Sequence, residues 1–357
     1  MKTNTWITGE DNKLSKQLII QDEYDNGVVI KVTRAAICGT DLHVLEGHDS
    51  VKRPLSLGHE FIGVIEEITG NRMIYDKNGI EFKTGDRVII APGISCGECI
   101  YCSEYKQPNW CINRKSHGLS TLNPEKLIIG GFSERVPLIT GIDIYKIPDQ
   151  LTDDLAILAE PLTVALRAFE RATSGLRTKE KNTVVVLGLG PIGVLISLLA
   201  LYKGCELIGV EPIEYRREYV RTFGINAVDS ITESTVIKND LNDGFGADIV
   251  FECAGNPEAV EKGIQLLRRG GRLVVVGHFF KNGTFKLDPW DICRNELEIV
   301  GSVLGNENEY DRAIELLMDK KIPWDKVISH LIQFEEADNA FLIAKNRNSM
   351  KVVLVNN

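Results

Sequence analysis

Long apolar stretches are what this sequence of 357 residues most clearly lacks. Its longest apolar run, VLISLLALY at 194–202, is far shorter than the roughly 20 residues of a membrane-spanning helix. The first residues, MKTNTWITGEDNK, contain no apolar core of the kind found in a secretory signal. We therefore expect a cytoplasmic protein that does not attach to a membrane.

A surplus of positive charge is also absent. Lysine and arginine total 41 against 50 aspartates and glutamates, which gives a net charge of −9. This balance disfavours a nucleic acid or an anionic membrane as a partner. With 43% hydrophobic residues the composition is that of an ordinary globular protein, and the length predicts two domains.

The sequence pattern changes near residue 180. Before that point, short apolar runs such as VVIKVTRAAICG alternate with turns, which predicts a largely β domain, closed or partly closed into a barrel. Within it, GNRMIYDKNGI at 70–80 predicts a polar hairpin with Asn78 and Gly79 as its turn. After residue 180, strands rich in Val, Ile and Leu alternate with helices, one of which is predicted for EAVEKGIQLLRRGG at 258–271. That alternation is typical of a parallel sheet covered on both faces, so the fold class is α/β.

A dinucleotide-binding fingerprint lies at the first strand–helix junction of the second half. VVVLGLGPIG contains G-x-G-x-x-G, and its cofactor-binding candidates are Gly188, Gly190, Pro191, Ile192 and Gly193. The first glycine permits a tight turn, the second lets the backbone approach a pyrophosphate, and the third allows close packing of helix and strand. The alternative is that these glycines serve only the turn.

An acidic residue follows this fingerprint at the end of the next predicted strand. Glu211 lies where a carboxylate can bind the hydroxyls of an adenosine ribose and repel the extra phosphate of NADP, which favours NAD. Arg216 and Arg217 lie a few residues further on and keep NADP as the alternative cofactor.

Four cysteines are clustered in the sequence SCGECIYCSEYKQPNWC. Cys96, Cys99, Cys102 and Cys111 supply four thiolates, enough to complete a tetrahedral zinc site without an open position for a substrate. Disulfides are the alternative, but they require an oxidising compartment that nothing in the sequence indicates. We therefore expect a structural zinc that stabilises this loop.

A second set of potential zinc ligands is spread over three motifs. ICGTDLH, LGHEFIG and LAEPLTVA contain the catalytic candidates Cys38, Thr40, His43, His59, Glu60 and Glu160. Cys38 and His59, with a carboxylate from Glu60 or Glu160, would bind zinc and leave a position for water or an alcohol oxygen. The sequence does not decide which glutamate is the direct ligand.

Together these motifs resemble those of a known enzyme family. CGTDLH, GHEFIG, KTGDRV, the four-cysteine lobe, AEPLTVA and GLGPIG occur in the order found in zinc-dependent medium-chain alcohol and polyol dehydrogenases. The resemblance covers essentially the whole chain. It implies a GroES-like catalytic domain at 1–162, completed by 305–357, and a Rossmann NAD-binding domain at 163–304.

Glu160 narrows the resemblance to one branch of that family. Ethanol-type members place a second cysteine on the zinc, whereas the "EP" form seen here resembles sorbitol-, glucose- and threonine-dehydrogenase-like members. The resemblance therefore implies oxidation of a secondary alcohol, polyol or sugar hydroxyl to a ketone or aldehyde. A threonine-3-dehydrogenase-like or glucose-dehydrogenase-like enzyme is one alternative, and a non-catalytic nucleotide-binding sensor is another.

The same resemblance implies a mechanism and an assembly. One catalytic and one structural zinc per chain are expected, together with NAD and a homodimer or homotetramer. Zinc would lower the pKa of the substrate hydroxyl, Thr40 would receive its proton, and His43 would pass that proton towards solvent. Hydride would then move from the substrate carbon to the nicotinamide.

Overall fold

The computed structural model describes residues 1–20, 27–48, 53–69, 74–76, 79–119, 128–177, 179–229, 241–277 and 283–356. The chain forms two compact units. The first comprises Met1–Glu160, Asn306–Asp319 and Ile328–Asn357, and the second comprises Pro161–Gly305 and Lys320–Val327. Among the described helices, none combines the length and the apolar composition needed to cross a membrane.

The strands account for most of the first unit and for the centre of the second. In chain order they are β1 (Lys2–Thr8), β2 (Leu14–Ile20), β3 (Val28–Ala36), β4 (Leu55–Ser56), β5 (Glu60–Ile68), β6 (Ile74–Tyr75), β7 (Glu81–Phe82), β8 (Arg87–Ile90), β9 (Gly93–Ile94), β10 (Lys115–Ser116), β11 (Arg135–Pro137), β12 (Ile144–Lys146), β13 (Thr183–Leu187), β14 (Glu206–Val210), β15 (Ala227–Val228), β16 (Ala247–Glu252), β17 (Leu267–Val275), β18 (Glu298–Gly301), β19 (Ile328–Gln333) and β20 (Lys351–Val355).

The helices are fewer and belong to both units. They are α1 (Gly39–Leu45), α2 (Ile100–Ser103), α3 (Asp153–Ala156), α4 (Ala159–Thr173), α5 (Pro191–Tyr202), α6 (Glu214–Arg221), α7 (Pro257–Leu266), α8 (Pro289–Asn295), α9 (Glu307–Leu317) and α10 (Ala337–Lys345). Short 3-10 turns lie at Pro108–Trp110, Asn242–Gly244, Trp324–Val327 and Phe334–Glu336.

The main sheet of the first unit runs in the order β12-β8-β5-β3-β20-β19, with β11 paired to β3. Its pairs are antiparallel except for β19 and β20, which are parallel. The register places Ala36 between Glu60 on β5 and Val353 on β20. The closing strand of the chain therefore lies beside the motifs that carry the predicted zinc ligands.

The core of the first unit is formed by the inward faces of these strands and by α10. Val28, Ile30 and Phe61 are buried in it together with Phe341 of that helix. Trp6 on β1 donates its indole N–H to the carbonyl of Phe334 at 3.0 Å, so the indole nitrogen is satisfied although the ring is buried.

The sheet of the second unit is parallel throughout, in the order β15-β14-β13-β16-β17-β18. Counted from β13, this is the strand order 3-2-1-4-5-6 of the Rossmann fold. Every residue of β13 and β16 is buried, as expected for central strands covered by helices on both faces. The predicted parallel α/β domain is confirmed.

The structure differs from one predicted element and confirms another. The helix predicted to run to Gly271 ends at Leu266, and Leu267 begins β17 in an extended conformation. Leu267 is buried and pairs with Ala247, so sheet pairing overrides the helical pattern of the sequence. The predicted hairpin is present as the antiparallel pair β6 and β7, although Asn78 of its turn lies outside the described residues.

Candidate active site

Cys38 lies at the N-terminal cap of α1. Its backbone is extended, with φ −96° and ψ 157°, and its N–H donates to the Asp41 carboxylate at 2.9 Å. The carboxylate at the third helical position thus fixes the residue that begins the helix. The Cys38 sulfur lies 3.8 Å from the Thr40 hydroxyl, so the first turn of α1 holds two of the predicted catalytic groups together.

His59 lies just before β5 and is buried against the same carboxylate. Its Nδ1 is 3.5 Å from Asp41 Oδ1. Burial disfavours a charged imidazole, but Asp41 and the Cys38 sulfur outweigh it and raise the pKa of His59 well above its usual value. Neither His59 Nδ1 nor Asp41 Oδ1 has a well-formed hydrogen bond, although both are buried. Such a histidine–carboxylate pair is the arrangement that orients a metal-binding imidazole.

Glu60 is held by a cation from the other end of the chain. Lys351 Nζ, on β20, lies 2.7 Å from Glu60 Oε1 and 2.6 Å from Oε2, and both side chains are at most 2% exposed. The same ammonium is 3.5 Å from the carbonyl of Ile37. Burial alone would lower the pKa of Lys351, yet the nearby Glu60 charge raises it, so the lysine stays charged and offsets the charge of Glu60.

Glu160 is buried in the first turn of α4. Burial and the charge of Glu60 raise the pKa of its carboxyl to about 7, against the opposing influence of His59 and Lys351. Two negative carboxylates in one buried place are costly without a cation between or beside them. Glu160 therefore occupies a position where a bound cation would stabilise its charged form.

The structure brings Cys38, His59 and Glu60 into one cluster. Their ligand atoms all lie within 4.8 Å of one another, and Glu160 is outside that group although it interacts electrostatically with Glu60 and His59. A thiolate, an imidazole and a carboxylate are the donors that zinc takes in catalytic sites. The donor chemistry and the poorly satisfied buried atoms therefore fit a zinc ion.

Thr40 and His43 lie one turn apart on α1, with Cys38 at its start. Residues three apart on a helix are neighbours on its surface, which suits transfer of a proton from one to the other. Partial burial, together with His48 and Arg347, lowers the pKa of His43, while Glu46 opposes the shift. A neutral imidazole at neutral pH can accept a proton.

The four cysteines of the lobe also converge. The sulfur of Cys99 is 3.4 Å from that of Cys102 and 4.0 Å from that of Cys111, and the Cys111 and Cys96 sulfurs are 3.5 Å apart. Zinc–sulfur bonds of about 2.3 Å in a tetrahedron separate the sulfurs by about 3.8 Å, whereas a disulfide requires about 2.05 Å. All four are free thiols, and their spacing fits a zinc ion.

Hydrogen bonds within the lobe favour a thiolate at Cys99. Cys96 donates its N–H to the Cys111 sulfur at 3.2 Å. Burial opposes ionisation of Cys99, but the N–H groups of Cys102 and Ile112 outweigh it and lower the pKa of the Cys99 thiol to about 6. Burial and the hydrogen bonds to the other sulfurs raise the pKa of the Cys102 thiol to about 11, so Cys99 is the sulfur that ionises readily without a metal.

The glycine-rich turn after β13 has the geometry that each position of the fingerprint requires. Gly188 has φ +91°, and a Cβ there would lie 2.9 Å from the backbone nitrogen of Ala254. A Cβ on Gly193 would lie 1.9 Å from the Gly188 carbonyl oxygen. Gly190 caps α5 and is followed by Pro191 and Ile192, so the first-turn N–H groups at Ile192 and Gly193 have no acceptor within the helix.

Glu211 follows β14 and binds this turn. Its carboxylate accepts the N–H of Leu189 at 2.9 Å and that of Ile213 at 3.0 Å. The Arg216 guanidinium lies 4.0 Å from the same carboxylate. Glu211 is therefore both a candidate ribose ligand and part of the scaffold of the glycine-rich turn.

Sequence reasoning missed two residues of the catalytic cluster. Asp41 was visible as an acidic residue three positions after Cys38, the spacing of a helix cap, but its contact with His59 depends on the strand β5. Lys351 was visible as a charged residue at the start of the otherwise apolar strand MKVVLV. A charge in a buried strand signals a buried partner, but nothing in the spacing identifies Glu60 as that partner.

Comparison with known proteins finds two family models on this chain. One, described as zinc-binding dehydrogenase, matches residues 191–319, and the other, described as alcohol dehydrogenase GroES-like domain, matches residues 24–149. D-arabitol-phosphate dehydrogenase of Enterococcus avium is 30% identical over 98% of this chain and 95% of its own length. Sorbitol dehydrogenase of Halalkalibacterium halodurans is 32% identical over 92% of this chain and 91% of its own.

Solved structures resemble the whole chain. An alcohol dehydrogenase from Thermotoga maritima has a TM-score of 0.89 at 25% identity and covers 99% of both chains. A zinc-binding dehydrogenase from Sinorhizobium meliloti, bound to NADP, has a TM-score of 0.85 at 27% identity over 100% of both chains. A short chain alcohol dehydrogenase from Escherichia coli CFT073, complexed with NADH, has a TM-score of 0.83 at 26% identity over 99% of both chains.

Proposed function

The chain belongs to the zinc-dependent medium-chain alcohol and polyol dehydrogenases, and we propose that it oxidises a secondary hydroxyl of a polyol or sugar with NAD as hydride acceptor. Membership of this family implies zinc, a nicotinamide cofactor and a small alcohol or polyol as substrate. The choice of NAD, the ligands of each zinc and the substrate itself belong to the proposal.

The observation that carries this proposal is the buried cluster of Cys38, His59 and Glu60 beside Glu160. A purely structural protein would gain nothing from burying these ionisable groups with incompletely satisfied polar atoms. The four-cysteine lobe has no open position for a substrate, so it supports the loop and leaves the chemistry to the Cys38 cluster.

A bound zinc would supply polarisation of the substrate hydroxyl, and a bound nicotinamide would supply the acceptor for the hydride. Cys38 and His59 would hold the metal, and Asp41 orients the His59 ring. Thr40 receives the hydroxyl proton and His43 takes it on towards solvent. The residues of the chain would thus hold the metal, orient the His59 ring and move the hydroxyl proton towards solvent.

We propose that Glu160 is the third zinc ligand and that Glu60 is a neighbouring carboxylate that does not bind the zinc directly. Both oxygens of Glu60 lie within 2.7 Å of Lys351, so its charge is already compensated. Glu160 has a pKa raised to about 7, which a neighbouring cation would lower.

The proposed preference for NAD is supported by Glu211. Glu211 directly follows the last residue of β14, where its carboxylate can accept ribose hydroxyls and repel the phosphate that distinguishes NADP. The test is the ratio of kcat/KM for NAD to that for NADP, which we expect to exceed one and to fall in Glu211→Gln. A higher kcat/KM for NADP would indicate instead that Arg216 binds the extra phosphate of that cofactor.

The cysteine and histidine ligands can be tested by substitution. We expect Cys38→Ser and His59→Ala to remove turnover while NAD binding, followed by fluorescence titration, stays close to that of the wild type. Cys293→Ser is the matched control, because this exposed thiol lies in the second unit. Full activity in Cys38→Ser would rule out the proposed catalytic zinc.

The substrate is tested by NADH formation with zinc-replete protein. The panel comprises primary alcohols, secondary alcohols, polyols, polyol phosphates, aldoses and L-threonine, and polyol phosphates are included because of the relative from Enterococcus avium. A rate with polyols supports the proposal, and a rate only with L-threonine or aldoses favours the alternatives. If no compound gives NADH and zinc is found only in the cysteine lobe, a nucleotide-binding sensor would be favoured.

We propose that residues 1–162 with 305–357 act as the catalytic domain and 163–304 as the cofactor domain. We also propose a cytoplasmic homodimer or homotetramer, which light scattering of the purified protein would test.

A further inference from the structure

The C-terminal end of α1 joins two imidazoles and a carboxylate at the surface of the first unit. The N–H of Gly47 donates to the carbonyl of Val44 at 3.0 Å, and the N–H of His48 donates to that of His43 at 3.1 Å. These two hydrogen bonds form a Schellman motif, with Gly47 in the left-handed conformation at φ +75°. The motif brings the side chains of its first and last residues together. Apolar residues commonly occupy these two positions, but here both are histidines.

The distances between the three side chains suit a small transition-metal ion. His43 Nδ1 and His48 Nδ1 are 3.5 Å apart. Glu46 Oε2 lies 3.8 Å from the first nitrogen and 3.7 Å from the second. Zinc bonds of about 2.1 Å in a tetrahedron place ligand atoms about 3.4 Å apart, so a few tenths of an ångström of side-chain movement would complete the geometry.

The surroundings allow an ion to reach this cluster. The three side chains are between 32% and 43% exposed, and they lie at the end of a helix where the backbone dipole favours positive charge. Lys345 competes for the carboxylate, since its Nζ is 3.3 Å from the other oxygen, Glu46 Oε1, but its side chain is 61% exposed and can move into solvent. Arg347 also lies close enough to His43 to lower its pKa, so the site is weakened but not blocked by these cations.

We propose that His43, Glu46 and His48 form a third metal site, which binds a divalent transition-metal ion such as Zn²⁺. Two imidazoles and one carboxylate are a recognised zinc ligand set that leaves a fourth position open. The site is distinct from the cysteine lobe and shares no residue with the Cys38 cluster. The binding part of this inference stands without the proposed function.

Occupation of this site would slow the enzyme. A metal on His43 Nδ1 removes the lone pair with which that nitrogen could accept a proton, so His43 could no longer pass the proton on from Thr40 through it. Zinc beyond the two proposed equivalents would therefore act as an inhibitor. This kinetic consequence rests on the proposed function, because it requires His43 to be the proton relay.

Equilibrium dialysis of the zinc-replete protein against Zn²⁺, with metal analysis, tests the binding. We expect the wild type to take up one further zinc per chain, and His48→Asn and Glu46→Gln each to weaken that uptake at least tenfold. Lys345→Gln should strengthen it, because the competing cation is gone. The matched control is His330→Asn, which removes a histidine bonded to Ser329 on β19 and should leave the uptake unchanged.

The opposite results would overturn the site. No further uptake by the wild type, or equal uptake by wild type, His48→Asn and Glu46→Gln, would show that these residues do not bind zinc. In the turnover assay we expect added zinc to inhibit the wild type at least tenfold more strongly than His48→Asn. Uptake without inhibition would support the site and overturn its kinetic role. A chain without dehydrogenase activity would contradict the proposed function, and the dialysis would still decide the site.

Discussion

Buried ionisable side chains surround Cys38, and each is placed against a particular partner. Lys351 compensates Glu60, and Asp41 faces His59 at 3.5 Å. Glu160 is the member whose charge is disfavoured, since burial and Glu60 raise the pKa of its carboxyl to about 7. Burying an uncompensated charge costs several kcal/mol, so the cluster favours binding of a cation.

Replacement of the two glutamates distinguishes their roles. We expect Glu160→Gln to lose one zinc per chain and its turnover, because the amide is a poor zinc ligand and cannot offset the metal charge. Glu60→Gln should keep that zinc but lower the free energy of unfolding, because Lys351 is then buried without a carboxylate. Metal analysis and urea denaturation measure the two effects. Loss of zinc in Glu60→Gln alone would make Glu60 the direct ligand.

At the scale of elements, two pieces of backbone position the functional groups. The row of strands β20, β3 and β5 places Val353, Ala36 and Glu60 side by side, and this brings Lys351 to the cluster. The tight turn between β13 and α5 depends on close approach of backbone to backbone at Gly193. In the first place strand pairing sets the side-chain positions, and in the second the absence of a Cβ lets the backbone segments approach each other.

Two alanine substitutions in the glycine-rich turn should have different effects. Gly193→Ala should destabilise the second unit by about 3 kcal/mol, since its Cβ would overlap the Gly188 carbonyl. Gly190→Ala should cost less stability than Gly193→Ala, because its Cβ would meet only Arg216 Nη1 at 3.6 Å, but it should weaken NAD binding by filling the space that a pyrophosphate needs. Urea denaturation and NAD titration measure these effects. Equal stability of both variants would contradict the packing argument.

At the scale of the whole molecule, the chain is divided into two units with separate cores. The first is assembled from three segments of the chain, including the C-terminal strand, whereas the sheet of the second comes from one continuous segment. The stability of the first unit therefore depends on contacts between residues far apart in sequence, among them the edge-on contact between the rings of Phe61 and the buried His117.

The pH dependence of stability should reflect His117. Burial lowers the pKa of this imidazole to about 4, although its Nδ1 lies 2.8 Å from the Ile129 carbonyl. Below pH 6.5 the unfolded chain binds a proton that the folded chain does not bind until about pH 4. The free energy of unfolding therefore decreases as the pH is lowered through this window. Between pH 7 and pH 5 this amounts to about 2 kcal/mol.

His117→Gln should remove that part of the pH dependence, whatever its effect on stability at pH 7. Urea denaturation at pH 5, 6 and 7 measures the slope, and His330→Gln is the control that should retain it. An unchanged slope in His117→Gln would mean that other groups carry the acid sensitivity of the first unit.

Short spacings in the sequence predicted the parts of each site that are local. The four cysteines, the glycine-rich turn and the pair Cys38 and Thr40 each lie within one loop or one helical turn. The helix predicted to reach Gly271 was wrong, because the pairing of Leu267 with Ala247 depends on a strand some twenty residues earlier. Sequence pattern describes local preference, and long-range pairing can override it.

The sequence by itself therefore determined the family, the two kinds of domain and the candidate ligands, since spacing along the chain limits what one turn or loop can place together. Only the tertiary structure decided which side chains from separate segments of the chain come into contact. It placed Lys351 on Glu60 and Asp41 on His59, and put the ligand atoms of Cys38, His59 and Glu60 within 4.8 Å of one another with Glu160 outside the group. These contacts join separate segments whose distances depend on strand register and burial, which no spacing in the sequence records.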